Sequence, residues 1–191
     1  MLRQEKASVS PQLQVVCRAL DDNATRALWL FEGIHPHQLT LRADPDSWSI
    51  AECLVHLNLF SQAFVPIIED ACKAGVPQSG SPFKMDLMGR VIKFSLEPPV
   101  KLKSVTAQRF EPLVTEPLEA ILPTFLALQN QLSAAVEASS GLDLNQITIT
   151  SPVSARIRYN LLSCFEIIAA HQRRHLWQAE KVREQLLDHL S

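Results

Sequence analysis

Apolar residues recur every three or four positions near the start of the chain, which is the spacing of one helical face. These apolar positions are Leu13, Val16, Leu20, Ala24, Ala27, Leu28 and Phe31. Ser10 and Pro11 precede them. Serine caps a first turn and proline fits its first position, so this pair predicts a helix start. Gly33 is a typical residue to follow a helix. We therefore predict helix 1 over residues 11–32.

A second apolar stripe follows the motif Ser49-Ile50-Ala51-Glu52, which has the form of a capping box. In this motif the serine side chain binds the amide of Glu52, and the Glu52 side chain binds the serine amide. The apolar positions after it are Cys53, Leu57, Phe60, Phe64, Ile67 and Ala71. We predict helix 2 from this motif to Gly75 and Pro77. His56 lies beside Leu57, on the side of the helix that faces the core.

Prolines interrupt the pattern between Val76 and Pro117, at positions 77, 82, 98, 99, 112 and 117. Within this stretch only residues 84–96 are moderately periodic. A connection of this length is unusual between helices and is commonly a lid, a binding loop or a packing arm. Residues 100–105 alternate like a strand, but a single strand has no partner here, so we predict an extended segment.

Helical spacing resumes at Thr115-Glu116-Pro117 and continues to Gly141, which predicts helix 3. The apolar positions are Leu118, Ile121, Leu122, Phe125, Leu128, Leu132 and Val136. Pro123 lies inside this run. It either kinks the helix or marks its true start.

The polar residues 143–154 predict a loop, and a fourth helical pattern follows it. Helix 4 is predicted to begin near Asn160, a residue type favoured at the N-cap, and to continue to about Leu187. Its stripe contains Leu161, Phe165, Ile168, Gln172, His175, Ala179, Val182 and Leu186. His171 lies beside the same stripe, three residues after Ile168.

Four long amphipathic helices predict an all-α protein, a four-helix bundle with a long Pro-rich connection between helices 2 and 3. A chain of 191 residues is long enough to bury a core and fits one domain over residues 1–191. Hydrophobic residues make up 47% of the chain, and only five residues are glycine. This composition favours a mainly helical globular protein.

The net charge of −2 and the lack of a long run of one sign argue against nucleic-acid binding and against an anionic membrane surface. The amino terminus has no pattern of a secretory signal, and no apolar run approaches the roughly 20 residues that cross a bilayer. The four cysteines lie far apart and form no CxxC pair. We therefore expect a soluble, cytoplasmic protein.

His171 and His175 are one helical turn apart on one face, so both imidazoles can reach one point in space. His56 on helix 2 also faces the core, and bundles build metal sites from facing helices. Three imidazole nitrogens suit Zn, Ni, Fe(II) or Cu and leave coordination positions open, as in catalytic sites. In the alternative interpretation, each histidine is a core residue with an ordinary hydrogen bond. Cys53 and Cys164 also face inward, but buried free cysteines usually pack as small hydrophobes.

Five further residues near these motifs have structural explanations. The capping box accounts for Glu52, although this carboxylate could also orient His56 or act as an acid or base. Trp48 is predicted to anchor the start of helix 2. Gln178 is predicted to be an ordinary helix residue outside any pocket, with the alternative that it lines the pocket, since it follows His175 by three residues. Arg173 and Arg174 are predicted to be solvated or paired, with the alternative that one meets an anionic substrate.

Two segments also resemble a known family. Trp48-Ser49-Ile50-Ala51-Glu52-Cys53-Leu54-Val55-His56-Leu57 resembles the W-S-x-x-E-x-x-x-H-L segment of the DinB/YfiT-like superfamily. His171-Gln172-Arg173-Arg174-His175-Leu176-Trp177-Gln178 is similar to its H-x-x-R-H-L-x-Q segment. The match covers helices 2 and 4 in order, and the intervening Pro-rich stretch ends in a similar way at Phe110-Glu111-Pro112.

The resemblance implies an up-down-down-up four-helix bundle, often dimeric, with a divalent metal held by residues that match His56, His171 and His175. Characterised relatives include thiol-dependent S-transferases and a maleylpyruvate isomerase. We therefore expect a metal-dependent (Zn, Ni or Fe) S-transferase or related hydrolase that acts on a small molecule, with a low-molecular-weight thiol as co-substrate in the transferase case. We expect a homodimer, and neither a nucleic-acid nor a membrane partner. The alternative is a non-catalytic helical bundle that acts through dimer or partner contacts.

Overall fold

The computed structural model describes residues 9–78, 82–99 and 107–188. In chain order, the helices are α1 (Pro11–Phe31), α2 (Pro36–Leu39), α3 (Ile50–Lys73), α4 (Leu87–Leu96), α5 (Leu118–Ala138) and α6 (Leu161–Asp188). A 3₁₀ turn covers Gln108–Phe110, and two short strands, β1 (Thr148–Thr150) and β2 (Arg158–Asn160), precede α6. The four long helices thus lie where helical periodicity predicts them.

Side-chain caps begin three of the four long helices, as the sequence predicts. The hydroxyl of Ser10 accepts from a backbone amide in the first turn of α1 at 3.4 Å. Ser49 and Glu52 form the predicted capping box, with the carboxylate accepting from the serine amide at 2.8 Å. Asn160 caps α6 by accepting from the amide of Ser163 at 2.9 Å. Each cap satisfies amides that the first turn leaves without a helical partner.

The structure corrects two predictions. Pro123 lies inside α5, which begins at Leu118, so the alternative that Pro123 marks the helix start is wrong. The predicted loop 143–154 contains β1, which pairs antiparallel with β2 and places Ile149 opposite Tyr159. The chain is therefore mainly helical, as predicted, but it is not all-α. The predicted extended segment 100–105 lies outside the described residues.

The long connection contains α4, which lies within the periodic stretch 84–96 and packs against α6. The Lys93 ammonium contacts the Glu166 carboxylate at 2.7 Å. At its start, Asp86 caps α4 by accepting from the amide of Gly89 at 2.7 Å. The described part of this connection is therefore a packing arm that lies against α6.

Contacts between the long helices establish their relative directions. Asn23 contacts Gln172, and Arg183 farther along α6 contacts Glu32 just after α1, so α1 and α6 run parallel. Asn58 donates to the carbonyl of Ile121, and Pro77 after α3 pairs with Leu142 after α5, so α3 and α5 are also parallel. Trp48 and His56 contact α6 in reverse order, which makes α3 and α6 antiparallel.

The core consists of two hydrophobic clusters with buried polar residues between them along the helices. The α1 residues Leu20 and Ala27 belong to different clusters, and Asn23 lies between them. Asn58 on α3 and Gln172 on α6 separate the two clusters in the same way. Ser61 on α3 and Gln129 on α5 lie one residue into the cluster that contains Leu20. Together they define a polar layer of Asn23, Asn58, Ser61, Gln129 and Gln172, all buried. His56 lies two residues before Asn58, and His171 lies directly before Gln172, so the histidine site lies at the edge of this layer.

By length and composition, α3 could cross a membrane, contrary to the expectation that no apolar run is long enough. In the structure, 67% of its most apolar window is buried inside the protein. It contacts α5 and α6 and contributes to both hydrophobic clusters. This burial is consistent with the core helix of a soluble protein.

Candidate metal centre

His56 is positioned by α3 and by the end of the long connection. It lies in the second turn after the capping box and is only 4% exposed. Its Nδ1 atom is 2.7 Å from the carbonyl oxygen of Phe110. Because a carbonyl only accepts hydrogen bonds, Nδ1 must carry the proton and donate it. The Nε2 atom of the neutral ring is then left with a lone pair, which faces α6.

His171 and His175 converge on this lone pair from one face of α6. The centroid of the His56 ring lies 5.0 Å from that of the His171 ring and 4.4 Å from that of the His175 ring. One potential ligand atom from each of the three side chains lies within 4.8 Å of the others, and all three residues are buried. The structure therefore brings together the three histidines that the sequence singles out.

The distance between two of the nitrogens fits a shared metal ion. The Nε2 atoms of His56 and His171 are 3.2 Å apart. Two nitrogens bound to one tetrahedral zinc at ordinary bond lengths would be about 3.3 Å apart. Nδ1 of His171 and Nδ1 of His175 are buried without a hydrogen-bond partner among the described residues, so neither ring has a contact like that of His56 with Phe110. The donor set therefore has the type and number of nitrogens that a divalent metal requires, and the His56–His171 pair has the spacing.

Burial keeps these imidazoles neutral near pH 7. Desolvation lowers the pKa of His56, with a smaller opposing effect from the Phe110 carbonyl. Desolvation also holds the pKa of His171 and of His175 well below the ordinary histidine range, and the nearby charge of Arg174 adds to the effect in both. Neutral imidazole is the form that binds metals, so no proton has to leave before coordination.

Two aromatic side chains hold the imidazole rings in place. Trp48 stacks on His175 with ring centroids 5.4 Å apart, and Phe60 stacks on His171 at 3.9 Å. Sequence reasoning assigned Trp48 only an anchoring role and treated Phe60 as core. Only Phe60 had a detectable signal, because it lies one helical turn after His56 on α3, whereas Trp48 precedes the Ser49 cap.

The histidines line a cavity of about 1010 Å³. Residues from α3, α4, α6, the hairpin and the loops before and after Phe110 contribute to its wall. Cavities of this size accommodate small-molecule ligands. The open side of the histidine cluster therefore faces space in which a substrate can bind.

The remaining polar candidates are distributed between the cavity and its surroundings. Glu52 binds the amide of Ser49 and the guanidinium of Arg42, so its observed contacts are those of a helix cap and an ion pair. Arg173 forms a two-pronged ion pair with Glu97, as the pairing prediction requires. Arg174 is 5% exposed and lines the cavity.

Gln178 also lines the cavity, so its predicted position outside the pocket is wrong.

The inward-facing cysteines and the two histidines in and beside α2 lie outside the histidine cluster. Cys53 and Cys164 are fully buried, and burial raises the pKa of both thiols. His35 and His37, beside and in α2, are exposed.

Comparison with protein families gives a match to the model of the DinB superfamily over residues 19–179. This range contains α3, most of α6 and all three histidines. Comparisons with curated proteins and with solved structures gave no match. The family match covers most of the chain and agrees with the resemblance of the two histidine segments. The chain belongs to the DinB superfamily.

Proposed function

We propose that this protein is a metal-dependent enzyme in which His56, His171 and His175 hold one divalent ion. The convergence of three buried, neutral imidazoles on a cavity wall is the observation that carries the proposal. Zn, Ni and Fe(II) all suit three imidazole ligands with positions left open. Membership of a metal-associated superfamily supports the same assignment. We also propose that α1, α3, α5 and α6 form the up-down-down-up four-helix bundle implied by the resemblance.

The proposed reaction is the transfer of a low-molecular-weight thiol to an electrophilic small molecule, or a related hydrolysis. A divalent ion at such a site acts as a Lewis acid and favours the deprotonated form of a nucleophile. The apolar part of the wall, including Phe60, Ile92 and Leu96, supports thiol transfer over hydrolysis because it limits the water that competes with a thiol.

The side chains of this protein orient and shield the reacting groups. The Phe110 carbonyl accepts the Nδ1 proton of His56 and thereby fixes the tautomer. Trp48 and Phe60 cover the faces of His175 and His171 and restrict ring rotation. Arg174 adds a positive charge beside the two α6 histidines. An anionic nucleophile or substrate would be favoured there.

Thiol consumption tests the reaction directly. Protein loaded separately with Zn, Ni or Fe(II) is mixed with small thiols and a panel of alkyl and aryl electrophiles, and free thiol is measured over time. We expect turnover with at least one metal, its loss in His56→Ala, and its retention in His37→Ala. If no thiol pair reacts while the same samples hydrolyse activated esters, the hydrolase form of the proposal replaces the transferase form.

A second candidate function is a non-catalytic one, in which the helices act through contacts between copies of the chain. The exposed apolar face of α4 favours it, because Leu87 and Phe94 are 71% and 86% exposed. Light scattering on the wild type and on Phe94→Glu tests this candidate. The non-catalytic function would be supported over the enzymatic one if the wild type is a homodimer that holds no metal and Phe94→Glu dissociates it.

A further inference from the structure

The cavity extends along α6 on both sides of the histidines. The α6 residues that line it begin at Ile167 and end at Gln185, with His171 and His175 between them. At the ordinary helical rise this stretch is about 27 Å long. A bound molecule therefore has room on both sides of a reacting group at the histidines.

The part of the cavity towards the amino-terminal end of α6 is apolar. Phe64 lies two helical turns beyond His56, and Ile167 lies one turn before His171. Because α3 and α6 are antiparallel, both steps lead in the same direction. The apolar wall there consists of Phe60, Phe64, Ile92, Leu96, Ile157 and Ile167, and the hairpin also contributes Ser151 and Tyr159, whose side chains hydrogen-bond to each other. Among the described lining residues, no charged side chain comes from α3, α4 or the hairpin.

Arg174 lies where this apolar part meets the histidines. It is between His171 and His175 on α6, and its Nη1 atom donates to the carbonyl of Ser95 at 3.4 Å. Ser95 precedes Leu96, which belongs to the apolar wall. The guanidinium therefore reaches from the histidine cluster towards the end of α4. An arginine of this kind can bind a carboxylate through two parallel hydrogen bonds.

We propose that the cavity takes an organic acid with an extended apolar arm. The carboxylate binds Arg174, the arm lies among Phe60, Phe64 and Ile92, and the reacting atom lies at the histidines. The inference rests on the proposed function, since the histidines provide the reacting centre. Binding itself requires only the side chains of this chain. It can therefore be measured without turnover.

Calorimetry with straight-chain carboxylates from butyrate to octanoate tests the arm. The titrations use protein as purified and protein treated with a chelator. We expect affinity to rise about fourfold for each added methylene in both samples, as expected for burial of apolar surface. Ile167→Trp, which fills part of the apolar wall, should weaken octanoate at least tenfold and change butyrate little. Equal affinity along the series would overturn the proposal.

Arg174→Met tests the carboxylate contact. Loss of a charge-assisted hydrogen bond should weaken octanoate at least tenfold and leave 1-octanol unchanged. Arg173→Met is the matched control, because Arg173 pairs with Glu97 and is not among the described lining residues. Unchanged octanoate affinity in Arg174→Met would overturn the proposal. Metal content of the same samples separates this inference from the proposed function. If the protein holds metal but its affinity does not depend on chain length, the proposed function stands and the substrate class proposed here is wrong.

Discussion

The Nε2 atoms of His56 and His171 are 3.2 Å apart. On the other side of the His56 ring, Nδ1 lies 2.7 Å from the carbonyl oxygen of Phe110, which fixes the orientation of the ring. Three distant parts of the chain thereby meet at one point: α3, α6 and the end of the connection between α3 and α5. The connection supplies a backbone acceptor that selects the tautomer of His56. The remaining lone pair then faces the second histidine, as a shared metal ligand set requires.

Stacking on Trp48 should strengthen metal binding. We predict that Trp48→Ala lowers zinc affinity about tenfold, because residues that orient a ligand ring typically contribute that much. Trp48→Phe keeps an aromatic face beside His175 and should recover most of the affinity. Competition with a chromophoric chelator measures both. Equal affinity in Trp48→Ala and the wild type would show that the indole does not orient the ring.

The metal-free protein should lose stability on acidification through the histidine range. Burial lowers the pKa of His56, His171 and His175 in the folded state, whereas the unfolded chain titrates near 6.5. Below that pH the unfolded state binds more protons. The stabilisation is therefore fully present above about pH 6.5 and falls by up to about 4 kcal/mol per pH unit for three histidines.

Urea unfolding at several values between about pH 7.5 and pH 5.5 measures this dependence, above the range in which carboxylates dominate. The double variant His171→Gln/His175→Gln should show a much shallower slope over the same interval. A wild-type free energy of unfolding that stays constant as the pH falls would contradict the buried neutral state of the three rings.

The helices and the histidine set could be predicted because their signals are local or repeat over many turns. The Ser49–Glu52 capping box marks one helix start within four residues, and apolar spacing identifies each core face over five or more turns. Once α3 and α6 face each other, inward histidines on both converge. The pairing of β1 with β2 could not be read in the same way, because three residues per strand are too few to show an alternation.

The surroundings of the site depend on tertiary contacts that the spacing of residues does not encode. Arg174 is buried because α4 lies against α6, and the sequence of the connection does not say where α4 packs. The same is true of Phe110, whose backbone rather than its side chain contacts His56. Gln178 is an ordinary helix former by type, and only the packed structure places it at the cavity.

Within the polar layer, the buried side chain of Gln129 should lower the free energy of unfolding of the protein. Both side-chain amide atoms of Gln129 are buried without a hydrogen-bond partner among the described residues. We predict that Gln129→Met raises the free energy of unfolding by about 1–2 kcal/mol, because it removes unpaired buried polar atoms at similar volume. Asn23→Leu should have the opposite effect, since Asn23 donates to Gln172 and to Ala169. Chemical denaturation compares them, and a less stable Gln129→Met would contradict the prediction.

A glycine allows α4 to lie close to α6. A Cβ atom at Gly89 would be 2.3 Å from the Cβ of Ser163, and both positions are in helices. We predict that Gly89→Ala destabilises the protein by about 1–3 kcal/mol through overpacking. Adding Ser163→Gly should recover part of the loss, because it removes the clashing atoms at the cost of a helical glycine. Thermal unfolding of the single and double variants measures both effects; a single variant as stable as the wild type would mean that α4 does not pack this closely.

Metal content measured by elemental mass spectrometry on untagged protein tests the central claim most directly. The samples are the wild type, His56→Ala, His175→Ala and the exposed control His37→Ala, each with its helical content checked by circular dichroism. We predict near-stoichiometric Zn, Ni or Fe in the wild type and the control, and its loss in the two site variants with helical content largely kept. A wild type that holds no metal even after reconstitution with Zn, Ni and Fe(II) would contradict the account and leave three histidines that only pack.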